Sequence, residues 1–298
     1  MKQLVDVIFC GFGKLGVLCL ERLVSEGYRI SFILTHKESE KDSVDTYAKE
    51  HDIPFSYKDV RKESIDFLEQ IGSKKVEFLV SINYKYILPV QLINSTKNSI
   101  NIHGSLLPKY RGRTPHVWSI INGEKITGVT AHLIEVGVDT GDIIKQIQVE
   151  ISDEDTGYSL LLKFEKIYPQ LLIDSLNNIK SGETLTKQNE QQASYFGKRT
   201  SEMGYIDFFK NSQDVINFVR AQASPYPGAY YYLNSGEKIV IQKIEKKPNE
   251  QNKQNLNITI GVIVKISDNY FVRCKDALLK IVTYRILKEG GKKIANTN

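Results

Sequence analysis

Short apolar runs at residues 4–10, 29–34, 76–82 and 99–102 alternate with polar or helix-spaced stretches, and this alternation narrows the fold more than any other feature. Residues 14–26 carry Leu15, Leu18 and Leu23 at helical spacing, and a polar helix-like stretch follows the second run to about Glu50. Another buried run is expected at residues 129–134. Strands separated by helices pair in parallel, because the chain must cross back over a sheet face between them. The first 180 or so residues therefore read as an α/β unit with an open, mostly parallel, Rossmann-like sheet. Residues 158–179 read as a long helix with Leu161, Phe164, Leu171 and Leu172 on one face, interrupted by Pro169. After Gly182 the chain turns polar and linker-like (KQNEQQ). A helix near residues 214–223 and the turn SPYPG lead into alternating runs at 229–233, 238–244, 259–265, 270–274 and 278–284, with a solvated loop at 246–257. Short strands broken by Gly, Asn and Pro predict a small β-rich, open-barrel-like unit. The expected organisation is a catalytic domain at 1–183, a linker at 184–212 and a C-terminal β-rich domain at 213–298.

Composition excludes several classes. The net charge is +5, from 40 basic and 35 acidic residues, with no basic stripe of the kind a nucleic-acid binder concentrates on one face. An anionic small substrate suits that balance, and nucleic acid is not expected as a partner. Cys10, Cys19 and Cys274 are scattered and odd in number, so neither a disulfide framework nor a metal site is indicated. The N-terminal run is short and interrupted by Asp6, unlike a signal peptide. No apolar stretch reaches the roughly 18 residues of a membrane span. A soluble, cytoplasmic protein is expected.

Cys10-Gly11-Phe12-Gly13-Lys14-Leu15-Gly16 satisfies GxGxxG between a strand and a helix, which by itself suggests a dinucleotide. That fingerprint also requires a carboxylate about 20 positions on, at the end of the second strand, to hold a ribose. Here the second strand runs into Thr35 and His36. The glycines then mean a tight strand-to-helix turn.

The most informative stretch spans residues 99–142. Asn101 and His103 stand two apart at the end of an apolar run, so a strand presents both on one face, at the C-terminal edge where open α/β sheets place ligands. An amide N–H can hold the oxyanion of an acyl-transfer reaction. An imidazole can carry the proton of an attacking amine. A carboxylate beside His103 would set its tautomer and stabilise its charge. Asp139, on the glycine-flanked loop Val138-Asp139-Thr140-Gly141-Asp142, is the first candidate and Asp142 the second. Singly, each has a plainer reading: Asn101 as a turn or capping amide, His103 as a satisfied core histidine, Asp139 as a turn residue. Their combination is what an acyl transfer to an amine, formyl transfer included, requires.

The stretch NIHGSLLPKYRGRTP, followed by TGVT and DTGD, resembles the folate-dependent formyltransferases. Its Asn-x-His and the Asp before Thr-Gly match the motif residues of that family at Asn101, His103 and Asp139. Within the family the likeness is to the sugar N-formyltransferases, in particular the formyltransferase domain of the enzyme that modifies UDP-4-amino-arabinose. Residues 32–36, 103–115, 194–200 (SYFGKRT) and 223–229 (ASPYPGA) carry it. Residues 137–142 are more similar to the methionyl-tRNA enzymes, the more distant likeness. Those enzymes carry an extended basic, glycine-rich loop after the second strand, whereas residues 35–43 here (THKESEKDS) are short and not basic overall.

The resemblance implies 10-formyltetrahydrofolate as co-substrate and a nucleotide-diphosphate amino sugar as acceptor, in the manner of bacterial lipopolysaccharide O-antigen synthesis, with a homodimer as the assembly. It places the folate slot beside the loop before the catalytic strand, with Tyr84, Tyr86, Ile87, Leu88 and Asp142 as expected contacts. Ile87 and Leu88 could equally plug the core. Lys109, Arg111 and Arg113 are expected to meet the diphosphate, where a guanidinium fork suits phosphate oxygens, and a solvated basic turn is the plain alternative. Tyr195, with Phe196, could stack on a nucleobase or pack inward. Two rival functions are a folate- or nucleotide-binding module without turnover and an NAD(P)-dependent reductase.

Overall fold

A computed structural model of the chain describes residues 5–37, 43–62, 76–246, 258–287 and 293–296. The expected loop at 246–257 lies outside these residues apart from Lys246, as do residues 38–42 of the segment 35–43. The helices are α1 (Gly13–Ser25), α2 (Val44–Glu50), α3 (Val90–Asn94), α4 (Pro115–Ile121), α5 (Gly157–Ser181) and α6 (Ser212–Ala221). The strands are β1 (Asp6–Gly11), β2 (Arg29–Leu34), β3 (Phe55–Ser56), β4 (Val76–Ile82), β5 (Thr96–His103), β6 (Arg111–Gly112), β7 (Ile126–Leu133), β8 (Ile143–Glu150), β9 (Tyr195–Phe196), β10 (Ala229–Tyr232), β11 (Lys238–Lys246), β12 (Ile263–Ile266), β13 (Asn269–Arg273), β14 (Leu278–Leu287) and β15 (Lys293–Asn296).

One sheet has seven strands in the order β3-β2-β1-β4-β5-β7-β8. The pairings from β3 through β5 are parallel, and β7 joins β5 antiparallel. The strand order reverses direction at β1, so the loops after β1 and β4 flank a switch point at the C-terminal edge, where open α/β sheets form their crevice. β1 and β4 are buried on both faces (Ile8, Phe9, Cys10, Phe78, Leu79 and Val80 are inaccessible), which is why they read as unbroken apolar runs. Gly16 brings α1 close to that sheet: a methyl there would stand 2.9 Å from Val44 and 3.3 Å from the Gly11 backbone. Ser43 caps α2 by accepting from the Thr46 N–H. Helix α5 continues through Pro169 as one 25-residue element.

The chain divides into two compact units. The first comprises Met1–Gly112, Gly128–Val149 and Lys163–Tyr195. Its core includes Ile8, Cys10, Phe32, Leu34, Leu79 and Leu88. The second comprises Arg113–Thr127, Glu150–Leu162 and Phe196–Asn298. It holds an antiparallel sheet in the order β10-β11-β14-β13-β12, with β15 against β14. Alternate residues Ile239, Ile241, Leu279 and Ile281 face Val215 and Val219 of α6 in its core. Arg220 explains why residues 150–162 belong here. Its buried guanidinium donates to the carbonyls of Ser152 and Asp155 at 2.8 and 2.6 Å, satisfying a cation that could not otherwise be buried.

Cys10, Cys19 and Cys274 are all free and buried, and burial pushes the thiols of Cys10 and Cys19 far up. Among the described residues no helix is long and apolar enough to cross a membrane, and no cluster of His, Cys, Asp and Glu could hold a metal ion.

Candidate active site

Strand β5 ends on His103, and its alternation places Asn101 and His103 on one face, both within the first unit. His103 is 7% exposed and its Nε2 lies 2.8 Å from the carbonyl of Tyr110. A carbonyl only accepts, so Nε2 carries a proton and Nδ1 is the nitrogen with the free lone pair when the ring is neutral. Nδ1 stands 3.5 Å from Asp139 Oδ2. The tautomer expected to be set by a carboxylate is thus set by a backbone carbonyl, and the carboxylate is left to stabilise the protonated ring. Tyr110 can aim that carbonyl because it adopts a left-handed conformation (φ 61°).

Asp139 is itself left-handed (φ 56°), and asparagine and aspartate tolerate that region better than most residues. Its Oδ2 accepts from the Gly112 N–H at 2.8 Å, and its Oδ1 lies 3.6 Å from His132 Nε2. Burial would push this carboxyl up, but the positive charge that His103 and His132 carry when protonated, the proton that a protonated His132 can share with it, and the Gly112 N–H outweigh it. The carboxyl is held well below the usual range, so Asp139 is an anion at neutral pH.

His132, which sequence reading missed, is the register partner of Asn101 across β5 and β7. Its Nδ1 donates to the carbonyl of Leu133 at 2.7 Å, leaving Nε2 to accept from Asn101 Nδ2 at 3.1 Å. One amide hydrogen of Asn101 is thereby committed and the other remains for a ligand. Asn101, His132, Asp139 and His103 form one connected polar group. A histidine two residues short of the end of an expected strand was the only available signal.

Profiles of two families match the chain: formyl transferase over residues 11–176 and formyl transferase, C-terminal domain, over residues 198–298. The chain belongs to the formyl transferase family. This formyltransferase is 30% identical over 297 residues to the methionyl-tRNA formyltransferase of Thermodesulfovibrio yellowstonii, covering 97% of the chain and 92% of that protein. Its fold is shared with WlaRD, a sugar 3N-formyl transferase solved with dTDP and 5-N-formyl-THF (TM-score 0.72, 21% identity, 99% of this chain and 100% of the other). It is also shared with an N-formyltransferase from Helicobacter canadensis solved with folinic acid and dTDP-3-aminofucose (TM-score 0.71, 22% identity, 98% and 100%).

The remaining expected site residues of the formyltransferase divide sharply. Leu88 is buried in the core while Ile87 is 63% exposed, so the two neighbours have opposite environments. Tyr84 stacks on His36 at 4.8 Å, and its buried hydroxyl has no hydrogen-bond partner among the described residues. Tyr86 meets His36 edge-on at 4.7 Å and lies under the Arg61 guanidinium at 4.6 Å. Asp142 is half-buried and uses its carbonyl to accept from the Leu133 N–H at 2.9 Å.

Lys109 and Arg113 are exposed, but Arg111 between them is completely buried. Its guanidinium donates to Gln188 Oε1 at 2.7 and 3.1 Å and to both oxygens of Glu190 at 2.6 and 2.9 Å. It also meets the Tyr195 hydroxyl. The expected diphosphate contact is therefore corrected for Arg111: its donors are spent on protein acceptors. Tyr195 is 58% exposed but bound to that guanidinium through its hydroxyl, and Phe196 packs against Trp118 at 5.0 Å.

Proposed function

We propose that the formyltransferase moves the formyl group of 10-formyltetrahydrofolate, the co-substrate of its family, onto the amine of a nucleotide-diphosphate amino sugar. The observation that carries the reaction is the group of Asn101 and His103 at one sheet edge with Asp139 arriving from the loop after β7, connected through His132. The amine nitrogen attacks the formyl carbon, and the carbonyl electrons move onto oxygen. The uncommitted N–H of Asn101 donates to that oxyanion, with one such donor contributing about 2.7–4 kcal/mol in acyl transfer. His103 Nδ1 takes the amine proton, Asp139 stabilises the resulting imidazolium, and the same proton passes to the departing folate nitrogen. The products are a formamide and tetrahydrofolate.

Two observations support a nucleotide-linked acceptor. Phe12, His36, Tyr84 and Tyr86 gather at the C-terminal ends of β1, β2 and β4, with the Lys85 ammonium 3.4 Å from the Phe12 ring centre. Aromatic faces with nearby cations suit a base and its phosphates. The segment 35–43 also lacks the basic excess that phosphate contacts along tRNA require. The 30% identity to a methionyl-tRNA formyltransferase favours the second reading, a charged initiator tRNA.

Purified enzyme is incubated with 10-formyltetrahydrofolate and either a panel of nucleotide amino sugars or methionyl-tRNA. One formyl group added to a sugar by mass spectrometry, with equal tetrahydrofolate release, is the expected result. Formylation of methionyl-tRNA alone would overturn the acceptor assignment.

A further inference from the structure

Arg111 and Gln188 form a relay that ends on the catalytic loop. The Gln188 side-chain oxygen accepts two hydrogen bonds from the Arg111 guanidinium, as given above. Its Nε2 donates to the main-chain carbonyls of Asp139 at 2.8 Å and Gly141 at 2.7 Å. The amide is thus oriented at both ends: a cation can face only its oxygen, and carbonyls can face only its nitrogen. The relay also closes on itself, because the residue after Arg111 donates its N–H to the Asp139 carboxylate.

Asp139 needs such support. A non-glycine residue in the left-handed region is strained and persists only where its surroundings over-determine it. Burying Arg111 fully is also costly unless every donor is matched. Both costs are met by one set of hydrogen bonds, which runs from Glu190 through Arg111 and Gln188 to the Asp139 backbone.

We propose that Arg111 and Gln188 are positioning residues that act through the Asp139 backbone to keep its carboxylate against His103. This rests on the role given to Asp139 under the proposed function. It makes Arg111 a part of the proton-handling centre and not a substrate contact.

Gln188→Glu separates this role from general stability. The new carboxylate still accepts from Arg111 but presents oxygen in place of NH2 to the two carbonyls. Three measurements are made on the full chain, with Asp139→Asn as reference. The first is the Asp139 carboxyl titration by carbon NMR, which needs no acceptor. The second is kcat and KM for 10-formyltetrahydrofolate, with whichever of dTDP-3-aminofucose, UDP-4-amino-arabinose or methionyl-tRNA the wild type formylates. The third is Tm.

In Gln188→Glu the Asp139 titration is expected to rise toward the ordinary value near 4. Turnover is expected to fall by about tenfold to a hundredfold, as misplacement of a reacting group by an ångström does. KM and Tm stay near wild type. Arg111→Lys, which keeps the charge and loses the fork, moves the same readouts in the same direction. An unchanged Asp139 titration, or a loss of turnover that only tracks a fall in Tm, overturns the relay. If Asp139→Asn itself leaves turnover intact, the role of Asp139 fails, whatever Gln188→Glu does.

Discussion

Asn101 Nδ2 lies 3.1 Å from Nε2 of His132, its partner across the antiparallel pairing of β5 with β7. The far nitrogen of that imidazole donates its N–H to the main-chain carbonyl of Leu133, so the near nitrogen of the neutral ring must accept. The Asn101 amide therefore stands in one orientation before any ligand arrives, and preorganised donors of this kind cost no reorganisation during reaction.

Replacing Asn101 by Ala should lower kcat by about 10² to 10³ with little change in KM for the folate, the scale for loss of one oxyanion donor. Tetrahydrofolate release against acceptor concentration measures it. A variant that keeps near wild-type turnover would remove Asn101 from the oxyanion role.

His132→Phe preserves ring volume but leaves the Asn101 amide free to rotate. Turnover should drop by about tenfold, within the range seen when a positioned group loses its alignment. His132→Gln, which can return an oxygen acceptor to Asn101, should recover part of the loss. Equal activity in both variants would contradict the orienting role.

Asp139 predicts a pH-dependent stability. Its folded carboxyl titrates below the usual range although burial opposes this, because His103, His132 and the Gly112 N–H favour the anion. A lowered folded value means that the stabilisation is fully present above the unfolded value near 4 and is lost as pH falls through the folded value. The urea midpoint of wild type should exceed that of Asp139→Asn at pH 7, and the two should converge as pH falls below about 4. A constant difference down to strongly acidic pH would refute the assignment.

Gly141 closes the Asp139 loop onto β7. A methyl at this position would stand 2.0 Å from the Leu133 carbonyl oxygen, and that atom belongs to the backbone and cannot swing away. Gly141→Ala should therefore destabilise by about 1–3 kcal/mol and reduce turnover through the displaced carboxylate. Gly197→Ala, where the added methyl meets nothing within 4 Å, is the control. Differential scanning calorimetry of the two variants decides it.

Much of the architecture was legible because it follows from local pattern. The spans of β2 and β4 agree with the apolar runs at 29–34 and 76–82, where burial on both faces leaves no polar interruption. β8 escaped because it is half-exposed, and its alternating pattern IIKQIQVE lacks a continuous apolar signal. Helix α4 escaped because seven residues inside a motif give too short a window for helical periodicity.

The residues of the site divide along the same line. Asn101 and His103 were readable as a pair because strand geometry alone puts alternate residues on one face, and Asp139 because its flanking glycine marks a turn. Residue type together with short-range spacing determined that an amide, an imidazole and a carboxylate were available at the end of a parallel sheet. Only the tertiary structure decided that His132 orients the amide, that the Tyr110 carbonyl sets the His103 tautomer, and that Arg111 turns inward. Each of these depends on a partner between 7 and 79 residues away. Which distant polar atom meets a side chain is settled by register and chain crossing, and a cation goes inside only where such acceptors converge on it.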